Sequence, residues 1–378
     1  MPKQKKYTFI DLFAGAGGLS LGLEQAGFEP CFVNEIVPQY CATYKSNRKL
    51  PNERYYVGDI NDLNEQFNQY AHLFQGALLV CGGPPCQGFS MANRQRIIDD
   101  PRNQLYKAYL TFLSKVRPQF FIMENVKGMA TKIDEIKQDF REYLGNEYKF
   151  DYELVRAQDY GVPQNRERLI FIGNRIGIEP NLIFEEIHKQ KRPAFILRDA
   201  LLGLPKLGAK IQKGKADIES EVSGFTECDF TYPQTEFYHF INGDKVITTL
   251  YNHKNRYNNQ RDIEIFRRLP QGANSLHESI ADIMPYKRRN NVFKDKYFKL
   301  AEDQICKTIT AHMKFDCNMY IHPWEARGLS PREAARIQTF PDDYIFTGAQ
   351  NQWYAQIGNA VPVKLAKVIG EAIMKFIK

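Results

Sequence analysis

The sequence predicts an α/β protein in which an irregular inserted domain interrupts a doubly wound parallel sheet. Over the first 175 residues, short apolar runs alternate with amphipathic stretches, and this alternation is typical of strands and helices that wind around a parallel sheet. Between about residues 180 and 322 the apolar pattern weakens, while Lys, Asn, Gln and Tyr become frequent. Regular patterning returns from Arg327 onward, so we expect the chain to re-enter the sheet domain there.

The predicted strands are short apolar runs that end in glycine or polar residues. They are expected at residues 7–13, 31–33, 54–57, 77–81, 120–123, 152–156 and 169–172. Helices are expected at 18–26, 104–116 and 363–377. Ser330, Pro331 and Glu333 suit the N-cap, the first-turn proline and the capping box of a further helix. We therefore divide the chain into residues 1–179, 180–326 and 327–378.

Composition and cysteine usage exclude several classes of protein. Hydrophobic residues make up 43% and charged residues 25% of the 378 residues, as in ordinary globular proteins. No run approaches the roughly 18 apolar residues that suggest a membrane span, and we expect no signal peptide. Seven scattered cysteines fit neither a disulfide framework nor a zinc site. We therefore expect a cytoplasmic protein without a metal.

Positive charge is concentrated in one segment. The net charge is +7, and residues 250–315 contain 13 Lys and Arg against 7 Asp and Glu, an excess of +6. A local basic excess in a balanced chain is typical of a nucleic-acid-binding surface. A solvated basic face without a partner would give the same count, so charge alone leaves both interpretations open.

A glycine-rich turn, FAGAGG at residues 13–18, follows the first strand. Glycines there permit positive φ and close approach of the main chain to a ligand. The third glycine of the dinucleotide fingerprint would fall at Ser20, which disfavours a nicotinamide cofactor. Glu35 ends the second strand about 20 residues later, where a carboxylate can accept hydrogen bonds from ribose hydroxyls. Asp59 ends the third strand and is placed to meet an adenine amino group.

Three polar motifs lie at the ends of later strands of the predicted sheet, the last of them just before the strand at 169–172. Cys86 stands on a stiff Pro-Pro turn at the carboxyl edge, where open α/β sheets bind ligands, and a thiolate there is a nucleophile. Glu124, in the tripeptide Glu-Asn-Val, ends the fifth strand. Arg166 and Arg168 are two residues apart in an extended segment, so we expect both to point into one cleft.

In this order, the motifs resemble those of the cytosine-C5 DNA methyltransferases of the bacterial or phage modification type. The resemblance covers residues 7–173 and 327–378. It implies a Rossmann-like S-adenosylmethionine-dependent methyltransferase sheet with a small, irregular target recognition domain at 180–326. It further implies a monomer that acts on double-stranded DNA with the target cytosine flipped out, and a separate cognate restriction endonuclease. Residues 88–103 resemble the mobile loop that closes over the flipped base.

The resemblance also assigns roles to single residues. Cys86 attacks carbon 6 of the cytosine and Glu124 contacts ring nitrogen 3, with Arg166 and Arg168 beside the base. The residues placed against S-adenosylmethionine are Phe13, Gly15, Gly17, Gly18, Glu35, Asp59, Ile60, Pro84 and Asn359.

Other classes of enzyme fit the sequence less well. A nicotinamide oxidoreductase shares the sheet but does not require the Cys86 or Glu124 motifs. An amino-group DNA methyltransferase would carry Asp or Asn before Pro-Pro, whereas this chain has Gly83. An RNA cytosine-C5 methyltransferase, of the kind that modifies tRNA, is the closest alternative. The insert of roughly 140 residues with its basic segment favours duplex DNA.

Overall fold

The computed structural model describes residues 7–85, 105–212, 219–285 and 296–377. Cys86 and the loop expected at 88–103 therefore lie outside the described residues. The chain divides into two compact units. The sheet unit comprises Met1–Tyr160, Glu167–Arg192 and Val361–Lys378, and the second unit comprises Gly161–Arg166 and Pro193–Ala360. These units are defined by contacts between residues. The predicted boundaries of the functional domains, at 179/180 and 326/327, stay a prediction.

The strands confirm the predicted order and extend several of the predicted runs. In the sheet unit they are β1 (Tyr7–Leu12), β2 (Phe28–Glu35), β3 (Tyr55–Val57), β4 (Leu79–Gly82), β5 (Phe120–Val126), β6 (Lys149–Arg156) and β7 (Glu167–Asn174). The second unit contains β8 (Gly224–Asp229) and β9 (Thr249–Lys254), which pair antiparallel.

The helices surround these strands in chain order. Those of the sheet unit are α1 (Gly18–Gln25), α2 (Pro38–Ser46), α3 (Ile60–Glu65), α4 (Phe67–Phe74), α5 (Leu105–Val116), α6 (Ile133–Leu144), α7 (Pro180–His188) and α13 (Val363–Met374). Those of the second unit are α8 (Leu197–Leu201), α9 (Glu236–Asn242), α10 (Gln260–Arg268), α11 (Pro331–Ile337) and α12 (Gln350–Asn359). No helix of the described ranges is long and apolar enough to cross a membrane.

The seven-stranded sheet has the order β3-β2-β1-β4-β5-β7-β6. This is the expected α/β sheet with one difference, because β7 runs antiparallel to both β5 and β6. Only residues 157–166 join β6 to β7, and a parallel crossover usually needs a dozen residues or more and a helix. The chain therefore turns back and inserts β7 beside β5.

The sheet is buried on both faces at its centre, as parallel strands covered by helices are. Every residue of β4 is buried, and so are the first four residues of β5. Aromatic rings of α4, α5 and α6, among them Phe74, Phe112 and Phe140, belong to the same apolar cluster as β4 and β5. This packing fixes the carboxyl ends of β1, β2, β4 and β5 along one edge, where Gly15, Glu35, Pro84 and Glu124 lie.

The second unit contains less regular structure and more buried charge. The predicted start of α11 is confirmed, because Ser330 Oγ accepts from Glu333 N at 3.2 Å and Ser330 N donates to the Glu333 carboxylate at 2.7 Å. Arg327 donates to both carboxylate oxygens of Glu333, at 2.8 and 2.7 Å. Arg336 pairs in the same two-pronged way with Asp342.

Candidate active site

The glycine-rich turn bends the chain between β1 and α1. Phe13, Gly15 and Gly17 all have positive φ, at 55°, 56° and 81°. A Cβ built on Gly17 would lie 2.8 Å from the side chains of Tyr44 and Arg48, so only glycine fits there. A Cβ on Gly15 would meet nothing within 4 Å. The turn therefore packs on one side and presents its main chain to open space at Gly15.

Glu35 lies against this turn at the end of β2. Its carboxylate accepts hydrogen bonds from Gly15 N at 2.7 Å and Val37 N at 2.8 Å, and the residue is 6% exposed. Burial raises the pKa of Glu35, and the main-chain N–H donors oppose that rise. A carboxylate fixed beside an open glycine turn offers its remaining lone pairs to hydroxyl donors, so the donor set fits the ribose of an adenosyl cofactor.

Asp59 and Ile60 lie where β3 passes into α3. Asp59 is the N-cap of α3, and its Oδ1 accepts from Asn61 N at 2.8 Å and from Asn61 Nδ2 at 2.9 Å. Ile60 is buried at 2% exposure. Asp59 thus has a structural task in capping the helix, and its contact with an adenine stays a prediction.

Two apolar side chains at the same edge were not anticipated from the sequence. Ile36 exposes 59% and Val57 exposes 43% of its surface. Val57 is the register partner of Glu35, and Ile36 is the next residue of the chain. The only sequence signal was that Ile36 directly follows the acidic end of a predicted strand. Exposed apolar groups beside a bound carboxylate suit the face of a planar ring.

A buried polar chain supports the glycine turn from behind. Asp11, on β1, is 1% exposed and accepts a hydrogen bond from Ser20 Oγ, which itself accepts from Tyr44 OH at 2.7 Å. Burial raises the pKa of Asp11 to about 7, against smaller lowering effects of the Ser20 hydrogen bond and the Arg48 charge. The first turn of α1 is thereby tied to β1.

Glu124 and Arg168 form an ion pair at the carboxyl edge of β5. Arg168 Nε lies 2.7 Å from Glu124 Oε1, and the two side chains are 15% and 12% exposed. The antiparallel register pairs Val126 with Arg168, which brings the arginine beside the end of β5. A Cβ built on Gly83 would lie 2.9 Å from Glu124 Oε2. The main chain after β4 therefore passes directly against the carboxylate.

Asn125 holds the segment that leads toward Cys86. Its side chain is 3% exposed, and its Nδ2 donates to the Pro84 carbonyl at 3.0 Å. Its Oδ1 accepts from Val126 N at 2.8 Å, which fixes the orientation of the amide. Glu124 and Asn125 thus contact the same short turn, and Cys86 itself lies outside the described residues.

Arg166 belongs to the second unit and has different partners from Arg168. It is 1% exposed and donates to the carbonyls of Ile309 and Ala360 at 2.8 Å and of Gly358 at 3.3 Å. Asn359 lies between the last two of these, at the end of α12, with an exposed side chain. The structure therefore shows Arg166 bound to main-chain carbonyls, and a common cleft for Arg166 and Arg168 stays a prediction.

Gln164 lies in the same buried cluster. It is 0% exposed, accepts from Ile309 N at 3.1 Å and donates to the Gln338 side chain at 2.6 Å. The cluster joins residues 164–166, 309, 338 and 358–360 of the second unit. Its members were partly visible in the sequence as the Gln-Asn-Arg motif, but their partners were not.

Comparison with known proteins agrees with this arrangement. The family model described as C-5 cytosine-specific DNA methylase matches residues 7–375. The chain is 33% identical to "Type II methyltransferase M1.HphI" of Haemophilus parahaemolyticus, over 97% of this chain and 87% of that one. It is 31% identical to "Type II methyltransferase M.AgeI" of Thalassovita gelatinovora, over 96% of this chain and 98% of that one.

Solved structures show the same fold. A prophage-encoded E. coli protein described as a DNA modification methyltransferase superimposes with a TM-score of 0.75 and 27% identity, covering 98% of this chain and 99% of that one. The Dnmt2 methyltransferase of S. pombe superimposes with a TM-score of 0.56 at 16% identity, with coverage of 98% and 99%, and at that identity the likeness shows the fold alone. By the match of its whole length and by these relatives, the chain belongs to the C-5 cytosine-specific DNA methylase family and is a DNA (cytosine-5-)-methyltransferase.

Proposed function

We propose that this enzyme methylates carbon 5 of a flipped-out cytosine within a specific duplex DNA sequence, through a covalent adduct of Cys86. The observation that carries the proposal is the Glu124–Arg168 ion pair, which lies against the Gly83-Pro84 turn at the carboxyl edge of β5 and β4. Only Pro85 separates that turn from Cys86 in the chain. We propose that the Cys86 thiol joins the Glu124 carboxyl group and the Arg168 guanidinium at this edge of the sheet unit.

The proposed chemistry begins at the Cys86 sulfur. The thiolate forms a bond to carbon 6, and the electrons of the ring double bond become available at carbon 5. Glu124 stabilises this electron-rich ring by hydrogen bonding or proton donation at nitrogen 3. Arg168 holds the Glu124 carboxyl in place through Nε and donates through Nη1 to the Glu167 carbonyl at 2.7 Å, which leaves Nη2 to donate to the base carbonyl. Once carbon 5 has bonded to the methyl group, its proton is lost to solvent water, the carbon 6–sulfur bond breaks, the thiolate leaves and the ring double bond is restored.

The methyl donor follows from the family, which uses S-adenosylmethionine. Bound beside the glycine-rich turn, the cofactor would supply the methyl group as an electrophilic sulfonium. We propose that Glu35 accepts from the ribose hydroxyls, that Gly15 and Phe13 lie against the nucleoside, and that Ile36 and Val57 contact the adenine. Gly17, Gly18, Asp59, Ile60, Pro84 and Asn359 complete the proposed cofactor contacts.

Asn125 is a positioning residue in this proposal. It touches neither the base nor the cofactor, but its amide fixes the Pro84 carbonyl, two residues before the nucleophile. Holding a reacting group in place contributes to the rate because misplacement by about 1 Å can cost about a hundredfold. The Glu-Asn-Val motif would then supply a hydrogen bond to the base from its first residue and orientation of the thiol from its second.

The curated relatives carry the designation Type II methyltransferase. We therefore propose that this enzyme protects DNA as the modification partner of a separate restriction endonuclease, and that residues 180–326 choose the sequence. The basic excess between residues 250 and 315 supports this assignment. Lys287, Arg288 and Arg289, which contribute to the excess, lie outside the described residues.

Bisulfite sequencing of DNA from cells that express the chain tests the function and identifies the motif. We expect 5-methylcytosine at one position of one short sequence and at no other cytosine. The matched control is the Cys86→Ala variant, which should leave all sites unmethylated. Methylation confined to RNA would contradict the proposal and favour the RNA alternative.

A further inference from the structure

An exposed aromatic side chain, Phe315, lies on a turn of the second unit. It leaves 66% of its surface in water, the largest exposed fraction among the large apolar side chains in the described part of the chain. Full burial of a phenylalanine side chain would stabilise the protein by about 1.5–3 kcal/mol, and an exposed ring does not provide this free energy. Single exposed apolar residues are common on protein surfaces. Whether Phe315 has a binding function therefore depends on its surroundings.

The backbone of this turn is firmly anchored. A single 3₁₀ turn covers Ala311–Lys314, and Phe315 N donates to the His312 carbonyl at 2.9 Å. The guanidinium of Arg256 donates to the carbonyls of Met313 at 2.6 Å and Lys314 at 3.3 Å. Met313 is 0% exposed and forms the buried side of the turn. The phenyl ring is therefore held outward by its support.

The neighbours of the ring are a lysine and a histidine. Lys314 Nζ lies 4.8 Å from the centroid of the Phe315 ring. The His312 ring is edge-on, with its centroid 5.4 Å away. His312 and Lys314 are both exposed. An exposed aromatic face beside a lysine suits a nucleic acid, whose bases stack on the ring while its phosphates attract the ammonium charge.

We infer that Phe315 stacks on a base of the target duplex, as an apolar wedge that compensates for the stacking lost when the cytosine leaves the helix, and that Lys314 contacts the adjacent phosphate. The inference rests on the proposed function, since it requires a duplex DNA substrate. Apolar side chains inserted between base steps are a known means of paying for distortion of a duplex. Because the turn is rigid before binding, little conformational entropy is lost when the ring is buried.

The test measures duplex affinity of the full-length protein between 50 and 200 mM salt, as in ordinary binding titrations. The duplex carries the motif found by bisulfite sequencing. Phe315→Ala should weaken binding by about 5- to 150-fold, the loss expected for one base–aromatic stack, and should leave the salt dependence unchanged. Lys314→Ala should instead reduce the log–log slope by about 0.9.

Val246→Ala is the matched control. Val246 is 65% exposed, lies in the same unit and follows Lys245, yet the inference gives it no contact with DNA. It should bind like the wild type. Phe315→Trp adds a direct readout, because stacking on a base should quench the new tryptophan when duplex is added, above the constant background of Trp324 and Trp353.

The outcomes separate the inference from the function beneath it. If the wild type methylates and binds duplex DNA while Phe315→Ala binds equally well, the inference is wrong and the proposed function stands. If Val246→Ala weakens binding as much as Phe315→Ala, stacking by Phe315 is likewise refuted. If the wild type binds no duplex and Phe315→Ala impairs only RNA binding, both the inference and the DNA function are overturned.

Discussion

The two units use buried carboxyl groups in opposite ways. In the sheet unit, Asp11 is buried and its pKa is raised to about 7 by burial. In the second unit, burial would also raise the pKa of Glu333, but the charges of Arg327 and His322 outweigh it and hold that pKa well below its usual range. The difference lies in the partner, because Glu333 has a two-pronged guanidinium at 2.8 and 2.7 Å.

This contrast extends to how each unit is held together. The sheet unit is assembled from apolar strands and helices, so its carboxyl groups Glu35 and Glu124 remain at an edge where they can contact ligands. The second unit has few strands, and Arg327, Arg332 and Arg336 are each at most 1% exposed. There the carboxyl groups of Glu333 and Asp342 complete the interior. Substitution of a carboxyl should therefore damage chemistry in one unit and folding in the other.

The largest effect is expected at Glu124. Glu124→Gln keeps the shape of the side chain but removes its acid–base function, so turnover should fall by about 10²- to 10⁴-fold. The free energy of unfolding should fall less than in Glu333→Gln, because the Glu124–Arg168 pair is partly exposed, and cofactor affinity should barely change. Single-turnover rates, with calorimetry for the cofactor, measure both. Wild-type turnover by Glu124→Gln would contradict its role.

Glu333→Gln should act on stability. Removal of one partner of a buried ion pair typically costs about 3–5 kcal/mol, because the guanidinium of Arg327 is left buried without its counter-charge. Urea unfolding measures the loss. Glu179→Gln is the control, since the pair of Glu179 with Lys149 is on the surface and should contribute at most about 1 kcal/mol. Equal losses in both variants would show that the buried Glu333 pair contributes no more to stability than a surface pair.

Glu35→Ala should lower the affinity for the cofactor more than it lowers the stability of the fold. Its carboxylate accepts two main-chain N–H groups and, in our proposal, two ribose hydroxyls. Loss of such partners costs about 1–3 kcal/mol in cofactor binding. Calorimetric titration with S-adenosylmethionine checks this. An unchanged affinity would mean that the nucleoside binds elsewhere. Asp59 is a poorer test, because Asp59→Ala also removes the N-cap of α3.

The last expected effect is a dependence of the free energy of unfolding on pH. Since the pKa of Asp11 is raised from 3.8 to about 7, the folded protein binds its proton more tightly than the unfolded chain does. The contribution of Asp11 to stability is thus fully present below pH 3.8 and is lost as pH rises toward 7. Asp11→Asn should remove that loss. Unfolding of the wild type and of Asp11→Asn at pH 5 and pH 7.5 gives the change in the free energy of unfolding with pH. An equal change in both proteins would exclude the effect.

Much of the sheet unit was predictable because its signals are local. Apolar runs that end in Gly, Glu or Asp predicted β1 to β5. The prediction that Glu124 ends β5 was wrong by two residues, because β5 continues to Val126 in pairing with β7. The reversal of β7 was not predicted, because an apolar run such as Leu169–Ile172 carries no direction. The Glu124–Arg168 pair also depends on that reversed register, so it became visible only in the fold.

The second unit was less predictable because its order comes from long-range polar contacts. Asn252 exchanges two hydrogen bonds with the main chain of Phe346, 94 residues away. Asn242 likewise donates to the side chain of Asp342, 100 residues away, and accepts from its main-chain N–H. No periodicity in the sequence announces such pairs. The start of α11 carries a local signal, the capping pattern of Ser330, Pro331 and Glu333, and it was predicted correctly.

The central claim is that Cys86 forms a covalent bond to carbon 6 of the target cytosine. The most direct measurement is trapping on duplex DNA with 5-fluorocytosine at the methylated position, in the presence of S-adenosylmethionine. Fluorine cannot leave carbon 5 as a proton does, so the adduct should persist through denaturing electrophoresis with the wild type. The folded Cys86→Ala variant should form none. A denaturant-stable complex with Cys86→Ala, or none with an active wild type, would contradict the account.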